Sequence, residues 1–206
     1  MTPFSKPPRS SIEDPEPDAG RIVQIANPFW VTELVDWKRR YLSDEDRMHL
    51  ALTLARENVL RDGAGPFAAA VFESDTGLLV AVGVNRVVPL NNSALHGEMV
   101  AFMLAQARLG SYTLGAPGMP RHEVVTSCEP CAMCLGATLW SGVRRLVWGA
   151  SREDATRLSF DEGPVFPESY DYLDKRGIEI VREVCREEAR AVLELYRSRS
   201  GEIYNG

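Results

Sequence analysis

Residues 123–134 read EVVTSCEPCAMC and join a predicted strand to a predicted helix. The first five positions, 123–127, are mostly β-branched and predict a buried strand. Pro130 interrupts that pattern, and the sequence from Cys131 to Trp140 favours a helix. Two cysteines therefore stand in the first turn of a helix that directly follows a strand, and the rest of the chain is interpreted around this unit.

The segments on either side continue the alternation of strands and helices. A tight turn at residues 75–77 predicts that the strands around it pair antiparallel. Downstream, helices alternate with apolar strands, which implies right-handed crossovers and a sheet covered on both faces. The predicted helices cover residues 44–62, 94–109, 131–140 and 186–197, and the predicted strands cover 65–72, 78–88, 123–127, 143–149 and 178–181. The fold class that follows is α/β, a three-layer α/β/α sandwich on a mixed five-stranded sheet.

Length and charge limit the classes of function. The chain has 206 residues, enough for one domain with a sizeable core. Its 23 basic and 29 acidic residues give a net charge of −6, which argues against a large nucleic-acid-binding surface. No apolar run is long enough to span a membrane. Residues 1–28 are proline-rich and lack the apolar core of a signal peptide, so we expect an N-terminal arm there, a domain from 29 to 200, and a cytoplasmic protein.

Three of the four cysteines lie within seven residues. Cys131 and Cys134 are three positions apart on the predicted helix, so both sulfur atoms face the same side. His96 stands at the start of the preceding helix, and parallel crossovers can bring the two helix N-termini together. One imidazole and two thiolates leave the fourth position of a tetrahedral zinc ion open, as in catalytic sites. We therefore expect one Zn²⁺ per chain, with two alternatives left open: Cys128 could complete a closed site, or the Cys-x-x-Cys could be a redox pair.

One cysteine and one histidine outside this cluster are not expected to take part in the chemistry. Cys185 precedes the last predicted helix and is expected to be a small buried apolar residue. His49 lies beside the apolar stripe of the predicted helix 44–62 and is expected to be structural or solvent-facing.

Glu98 follows His96 by two positions and can reach a metal-bound water without binding the metal. Zinc lowers the pKa of its water toward about 7, and a nearby carboxylate can accept the proton. A zinc-bound hydroxide would then attack an amino-bearing ring carbon while Glu98 carries the proton to the leaving ammonia. His-x-Glu followed by Pro-Cys-x-x-Cys is the pattern of zinc nucleobase deaminases.

With these motifs, the chain resembles the cytidine deaminase-like superfamily, and within it the small zinc-dependent guanine deaminases, including a bacterial type that also accepts the triazine ammeline. The stretches that carry the resemblance are residues 65–71, 83–89, 93–98, 126–134 and 140–144. The resemblance implies that His96, Cys131 and Cys134 bind zinc, that Glu98 carries protons and that the protein forms a homodimer.

The resemblance also implies the residues that hold the substrate. Asn85 would hydrogen-bond the ring of the base, and Glu162 would contact it and assist proton transfer to the departing amine. Phe67 and Trp148 would line the pocket, with Phe67 as a stacking face. Residues 201–206 resemble a lid that closes over substrate, and Tyr204 belongs to it.

Two positions depart from the family's usual residues. Gly97 replaces a common alanine, and its missing methyl group is expected to widen the pocket floor while its N–H still faces the substrate. Trp148 stands where small residues or cysteine are common. Both departures could shift specificity away from guanine.

The reaction expected from the residues and the resemblance is hydrolysis of a free aminated nucleobase, guanine to xanthine and ammonia, with ammeline-like triazines as further substrates. The alternatives are deamination of another heterocycle or nucleoside (guanosine, a pterin, cytosine or cytidine), deamination of tRNA adenosine, and a non-catalytic zinc-binding module. The acidic charge argues against RNA as a partner. Glu98 argues against a purely structural zinc site, because such a site needs no proton carrier.

Overall fold

The computed structural model describes residues 23–205, so most of the expected arm 1–28 and the last residue of the tail lie outside the described residues. The strands are β1 (Ala68–Glu73), β2 (Leu79–Val84), β3 (His122–Cys128), β4 (Arg145–Ala150) and β5 (Glu179–Val181). The helices are α1 (Trp30–Leu34), α2 (Asp44–Asp62), α3 (Val87–Leu90), α4 (Gly97–Leu109), α5 (Ala132–Ser141), α6 (Arg152–Thr156), α7 (Pro167–Lys175) and α8 (Arg186–Ser198).

The five strands form one mixed sheet in the order β2-β1-β3-β4-β5. β1 pairs antiparallel with β2 and β3, whereas β3, β4 and β5 run parallel to one another. One apolar cluster joins α2 and α8 to one face of the sheet, and a second joins α4 and α5 to the other face. The predicted three-layer sandwich on a mixed five-stranded sheet is confirmed.

This topology places two helix N-termini at one edge of the sheet. β2 and β3 both run antiparallel to β1, so they are parallel to each other and end at the same edge. α4 and α5 begin just beyond those ends, and α4 packs closely on β2. At Gly83 an added side-chain carbon would overlap the backbone of Gly97 and Ala101, so only glycine permits this close approach.

The boundaries of several elements differ from the prediction. β2 ends at Val84 rather than at residue 88, because residues 87–90 turn into the short helix α3. α4 begins at Gly97 rather than at residue 94, because His96 has an extended backbone and acts as the N-cap. The helices α6 and α7 were not predicted, since both are short and lie between the strands that carry the pattern. No helix in the stretch 23–205 is both long enough and apolar enough to cross a bilayer.

Candidate active site

The three predicted metal ligands converge at the edge of the sheet where α4 and α5 begin. His96 is the N-cap of α4 and Cys131 is the N-cap of α5, and neither side chain caps its own helix. Cys134 lies in the first turn of α5. The His96 Nδ1 and Cys131 Sγ atoms are 3.5 Å apart, and the three donor atoms all lie within 4.8 Å of one another.

This donor set fits a zinc ion. Tetrahedral zinc, with Zn–S bonds of about 2.3 Å and Zn–N bonds of about 2.0–2.1 Å, separates a sulfur from a nitrogen ligand by about 3.6 Å. The pKa of Cys131 falls to about 4, because Cys134 donates a hydrogen bond to its sulfur and His96 adds another, which together outweigh burial. Cys128 is outside this donor group and instead donates to the backbone oxygen of Ser151 at 3.7 Å, so the structure gives no support to a closed four-ligand site.

Glu98 lies beside these ligands and is buried at 6% exposure. Its Oε1 accepts a hydrogen bond from the hydroxyl of Thr126 at 3.0 Å, and the Cys134 Sγ lies 3.4 Å from Oε2. Burial is the main reason why the pKa of Glu98 lies above its usual value. Thr126, on β3, was not singled out from the sequence because threonine in a strand carries no distinguishing signal.

Glu162 brings a second carboxyl group to the same cavity from the loop after α6. Its backbone oxygen accepts from the Ala132 N–H at 2.9 Å, which ties the loop to the start of α5. Burial, together with the nearby charges of Cys131 and Glu98, raises the pKa of Glu162 to about 8. Phe67 lines the same cavity and packs edge-on against Phe160, with ring centroids 5.0 Å apart.

Asn85 is fully buried just beyond the end of β2. Its Oδ1 accepts from the Val87 N–H at 3.2 Å, whereas its Nδ2 has no hydrogen-bond partner among the described residues. The buried side chain of Asn58 on α2 donates to the backbone oxygens of Gly65 and Asn85, at 2.9 and 3.1 Å. Asn58 was missed at the sequence level, where it is one polar position on an amphipathic helix.

The two positions that depart from the family pattern behave differently from expectation. A methyl group added at Gly97 would lie 2.9 Å from the Cα of Ala68, so it would collide with β1. Gly97 thus permits α4 to approach the sheet, and the expected wider floor does not follow from it. Trp148 is buried against Tyr170 in the second apolar cluster and does not line the cavities beside Glu98.

Tyr204 lies between two cavities. The inner one, beside Glu98, Glu162 and Phe67, has a volume of only about 30 Å³. The outer cleft has a volume of about 370 Å³, and Tyr204 borders both. The buried Tyr204 hydroxyl touches Gly65, next to Asn85, and finds no hydrogen-bond partner among the described residues. The inner cavity has room for about one water, far below the usual size of a ligand pocket.

Comparison with known proteins places this geometry in a family. Residues 42–150 match the sequence profile described as the cytidine and deoxycytidylate deaminase zinc-binding region. The matched range contains His96, Glu98, Cys131 and Cys134 but not Glu162 or Tyr204.

Similar proteins cover most of the fold. The guanine deaminase of Bacillus subtilis (strain 168) is 34% identical over 127 residues, which are 62% of this chain and 77% of that protein. The structure of the guanine deaminase from Nitrosomonas europaea superposes with a TM-score of 0.82 at 44% identity and covers 86% of this chain and 97% of that one. The structure of a mutant of NE0047 in complex with 8-azaguanine gives a TM-score of 0.83 at 43% identity, covering 87% and 98% of the two chains.

Proposed function

The chain belongs to the cytidine and deoxycytidylate deaminase zinc-binding family, and we propose that it hydrolyses free guanine to xanthine and ammonia. The observation that carries the proposal is the buried carboxyl group of Glu98 beside three convergent zinc donors. The likeness to guanine deaminases and to a protein that binds 8-azaguanine supports guanine as the base.

In this mechanism His96, Cys131 and Cys134 would hold one zinc ion. A bound zinc ion acidifies water and thereby supplies a nucleophile near neutral pH. Glu98 accepts a proton from the attacking water and delivers it to the departing amino group. The Thr126 hydroxyl holds Glu98 in position by donating to its Oε1. The water oxygen becomes the new carbonyl oxygen of the base, one water proton leaves with the ammonia and the other ends on a ring nitrogen, so the reaction balances.

Asn85 and Glu162 are proposed to recognise the base. Within residues 23–205 the buried Asn85 Nδ2 donates to no partner, which suits a ring nitrogen or carbonyl oxygen of a base. The carboxyl group of Glu162 can accept hydrogen bonds from the ring N–H and amino groups of guanine and assist the leaving amine. Phe67 offers an apolar face for stacking. The net charge of −6 favours a small neutral base over RNA.

The test is ammonia release by zinc-loaded protein. Guanine, ammeline, guanosine, adenine, cytosine, cytidine and a pterin would be compared. We expect turnover of guanine, and we expect Glu98→Gln to lower kcat by about a hundredfold or more while the zinc content stays unchanged, because general acid–base catalysis has this magnitude. Glu168→Gln, an exposed carboxylate on α7, is the matched control and should keep full activity.

Two outcomes would contradict the proposal. Full turnover by zinc-loaded Glu98→Gln would remove Glu98 from the proton path. If another base in the panel is turned over and guanine is not, the hydrolytic mechanism would stand, but the assignment of guanine as the substrate would be wrong.

We also propose that the protein is a homodimer. α5 carries apolar side chains into solvent, with Trp140 84% and Met133 37% exposed. The two side chains are seven positions apart on α5 and therefore lie on one face of the helix, and an exposed apolar patch favours a protein contact. Sedimentation equilibrium should give twice the mass of the chain, and Trp140→Glu should shift the mass toward that of the monomer. A monomeric mass for the unchanged protein would contradict the proposal.

A further inference from the structure

A second group of metal-binding side chains lies between α2 and the start of α8. His49 projects from α2, Cys185 is the N-cap of α8, and Glu188 lies in the first turn of that helix. Their three donor atoms lie within 4.8 Å of one another. None of the three residues lines the cavities beside Glu98, so the group is separate from the candidate active site.

The distances match those of a zinc coordination shell. His49 Nε2 is 3.7 Å from Cys185 Sγ, and it lies 3.4 and 3.3 Å from the two carboxylate oxygens of Glu188. With ordinary bond lengths, tetrahedral zinc separates nitrogen from sulfur by about 3.6 Å and nitrogen from oxygen by about 3.3 Å. The catalytic donors meet the same criterion, since His96 Nδ1 and Cys131 Sγ are 3.5 Å apart.

A Cys-His-Glu group could instead activate a nucleophile, but the geometry is against it. In such a relay the acid binds one ring nitrogen and the thiol binds the other. Here both contacts use the same nitrogen, Nε2 of His49, which points toward a common centre between the sulfur and the carboxylate.

The surroundings suit a cation that stays in contact with water. A thiolate and a carboxylate would together balance the charge of a divalent ion, and a nitrogen, a sulfur and an oxygen donor suit zinc and similarly soft metals. An open cleft of about 520 Å³, bordered by His49 and Glu188, leaves room for a water as the fourth ligand, and Arg56 on its border is paired with Glu57. Cys185 has a φ of 52°, in the left-handed region that non-glycine residues rarely adopt, and this backbone holds the thiol beside His49.

We propose that His49, Cys185 and Glu188 form a second binding site for zinc or a similarly soft divalent cation. The ion would fasten the N-terminus of α8 to α2. Since α8 leads to the C-terminal segment that carries Tyr204, occupancy would also stabilise the base of that segment. The site goes beyond the proposed deaminase activity and does not depend on it.

The experiment counts metal ions in protein whose catalytic site is already loaded. Equilibrium dialysis against buffered zinc should give a second equivalent in the unchanged protein, and it should be lost in Cys185→Ser and in His49→Gln. Cobalt titration provides a spectroscopic check, because a thiolate ligand adds a sulfur-to-metal charge-transfer band that Cys185→Ser should remove. Glu187→Gln is the matched control: Glu187 is an exposed neighbour that pairs with Arg190, and the second equivalent should remain.

Thermal melting provides an independent measurement. Excess zinc should raise the Tm of the loaded wild-type protein by binding the folded state, and it should leave the Tm of the two variants unchanged. Either variant suffices if the other fails to fold. A single equivalent in the unchanged protein would overturn the proposal, as would a second equivalent that persists in both variants. Because the readout is metal content, loss of guanine turnover in Glu98→Gln has no bearing on it.

Discussion

Among single residues, Asn58 links two segments that border the candidate base site. Its amide donates to the backbone oxygens of Gly65 and Asn85, and it is fully buried. Asn58→Leu keeps a similar volume but removes both hydrogen bonds. We expect KM for guanine to rise by about tenfold, the equivalent of about 1.4 kcal/mol, with a smaller change in kcat, because Asn85 loses its position rather than its chemistry.

The control for Asn58 is Leu54→Ala on the same helix. Leu54 is also fully buried, and its truncation costs about 2–5 kcal/mol of stability without touching Gly65 or Asn85. Steady-state kinetics at a temperature where both variants are folded should show a raised KM only for Asn58→Leu. An equal rise in both variants would mean that lost stability, rather than positioning, explains the effect.

At the scale of elements, the helices and strands that could be predicted are those with recognisable capping residues at their ends or a periodic apolar pattern along their length. Ser43 caps α2 by accepting from the Asp46 N–H, and Gly63 follows its last residue in the left-handed conformation; both residue types are start and stop signals, and the predicted range 44–62 matches α2. The predicted start of α4 was too early because its N-cap is His96, whose side chain makes no capping hydrogen bond and so gives no start signal in the sequence. α6 has five residues, too few for a periodic pattern to show.

The residues of the candidate site likewise fall into those that the sequence could predict and those that it could not. The zinc ligands and Glu98 could be predicted because their chemistry requires fixed residue types at fixed spacing. Asn58 and Thr126 act through hydrogen bonds between distant segments, and only the folded chain brings those segments together. The collision that a methyl group at Gly97 would cause with β1 was likewise invisible, since it depends on how closely α4 packs.

The N-terminus of α2 carries an ion pair whose strength depends on pH. Both carboxylate oxygens of Asp44 accept from Arg145 on β4, at 2.8 and 2.7 Å. The hydrogen bond from Arg145 holds the pKa of Asp44 below its usual value, so its stabilisation is complete above about pH 4, the unfolded pKa, and is lost as the pH falls through the lower folded pKa. Buried Glu123 also pairs with Arg145 and Arg47, but burial raises the pKa of Glu123. Protonation of Glu123 therefore favours the folded state, whereas protonation of Asp44 disfavours it.

Comparison of the wild type with Asp44→Asn separates the contribution of Asp44 to stability from that of Glu123. We expect the variant to unfold at lower urea concentration than the wild type at pH 6, and the difference in the free energy of unfolding should shrink as the pH is lowered from about 4 toward 2. Asp171→Asn, an exposed acid on α7, should show no such convergence. A difference that stays constant over this range would show that Asp44 stabilises the fold by something other than its charge.

At the scale of the whole molecule, the C-terminal segment returns to the sheet edge where α4 and α5 begin. Asn205 accepts from the Asp161 N–H at 2.8 Å and donates to the Ser159 oxygen at 2.9 Å. Tyr196 on α8 donates to the Glu202 oxygen at 2.5 Å. The bonds of Asn205 fasten the segment to the loop that carries Glu162, and the bond of Tyr196 fastens it to α8.

Tyr204 separates the inner cavity of only about 30 Å³ from the outer cleft of about 370 Å³, which His96, Cys131 and Glu162 also line. A base that reaches Glu98 would displace the segment. We propose that it then packs again over the bound base. Deletion of residues 201–206 should lower kcat/KM for guanine by about tenfold or more, because Glu162 loses its support and water enters the site, while the Tm changes little. Tyr204→Phe keeps the ring and should retain more activity than the deletion. If the shortened chain turned over guanine as fast as the full one, the segment would be a plug that hinders entry, and closure would contribute nothing to the reaction.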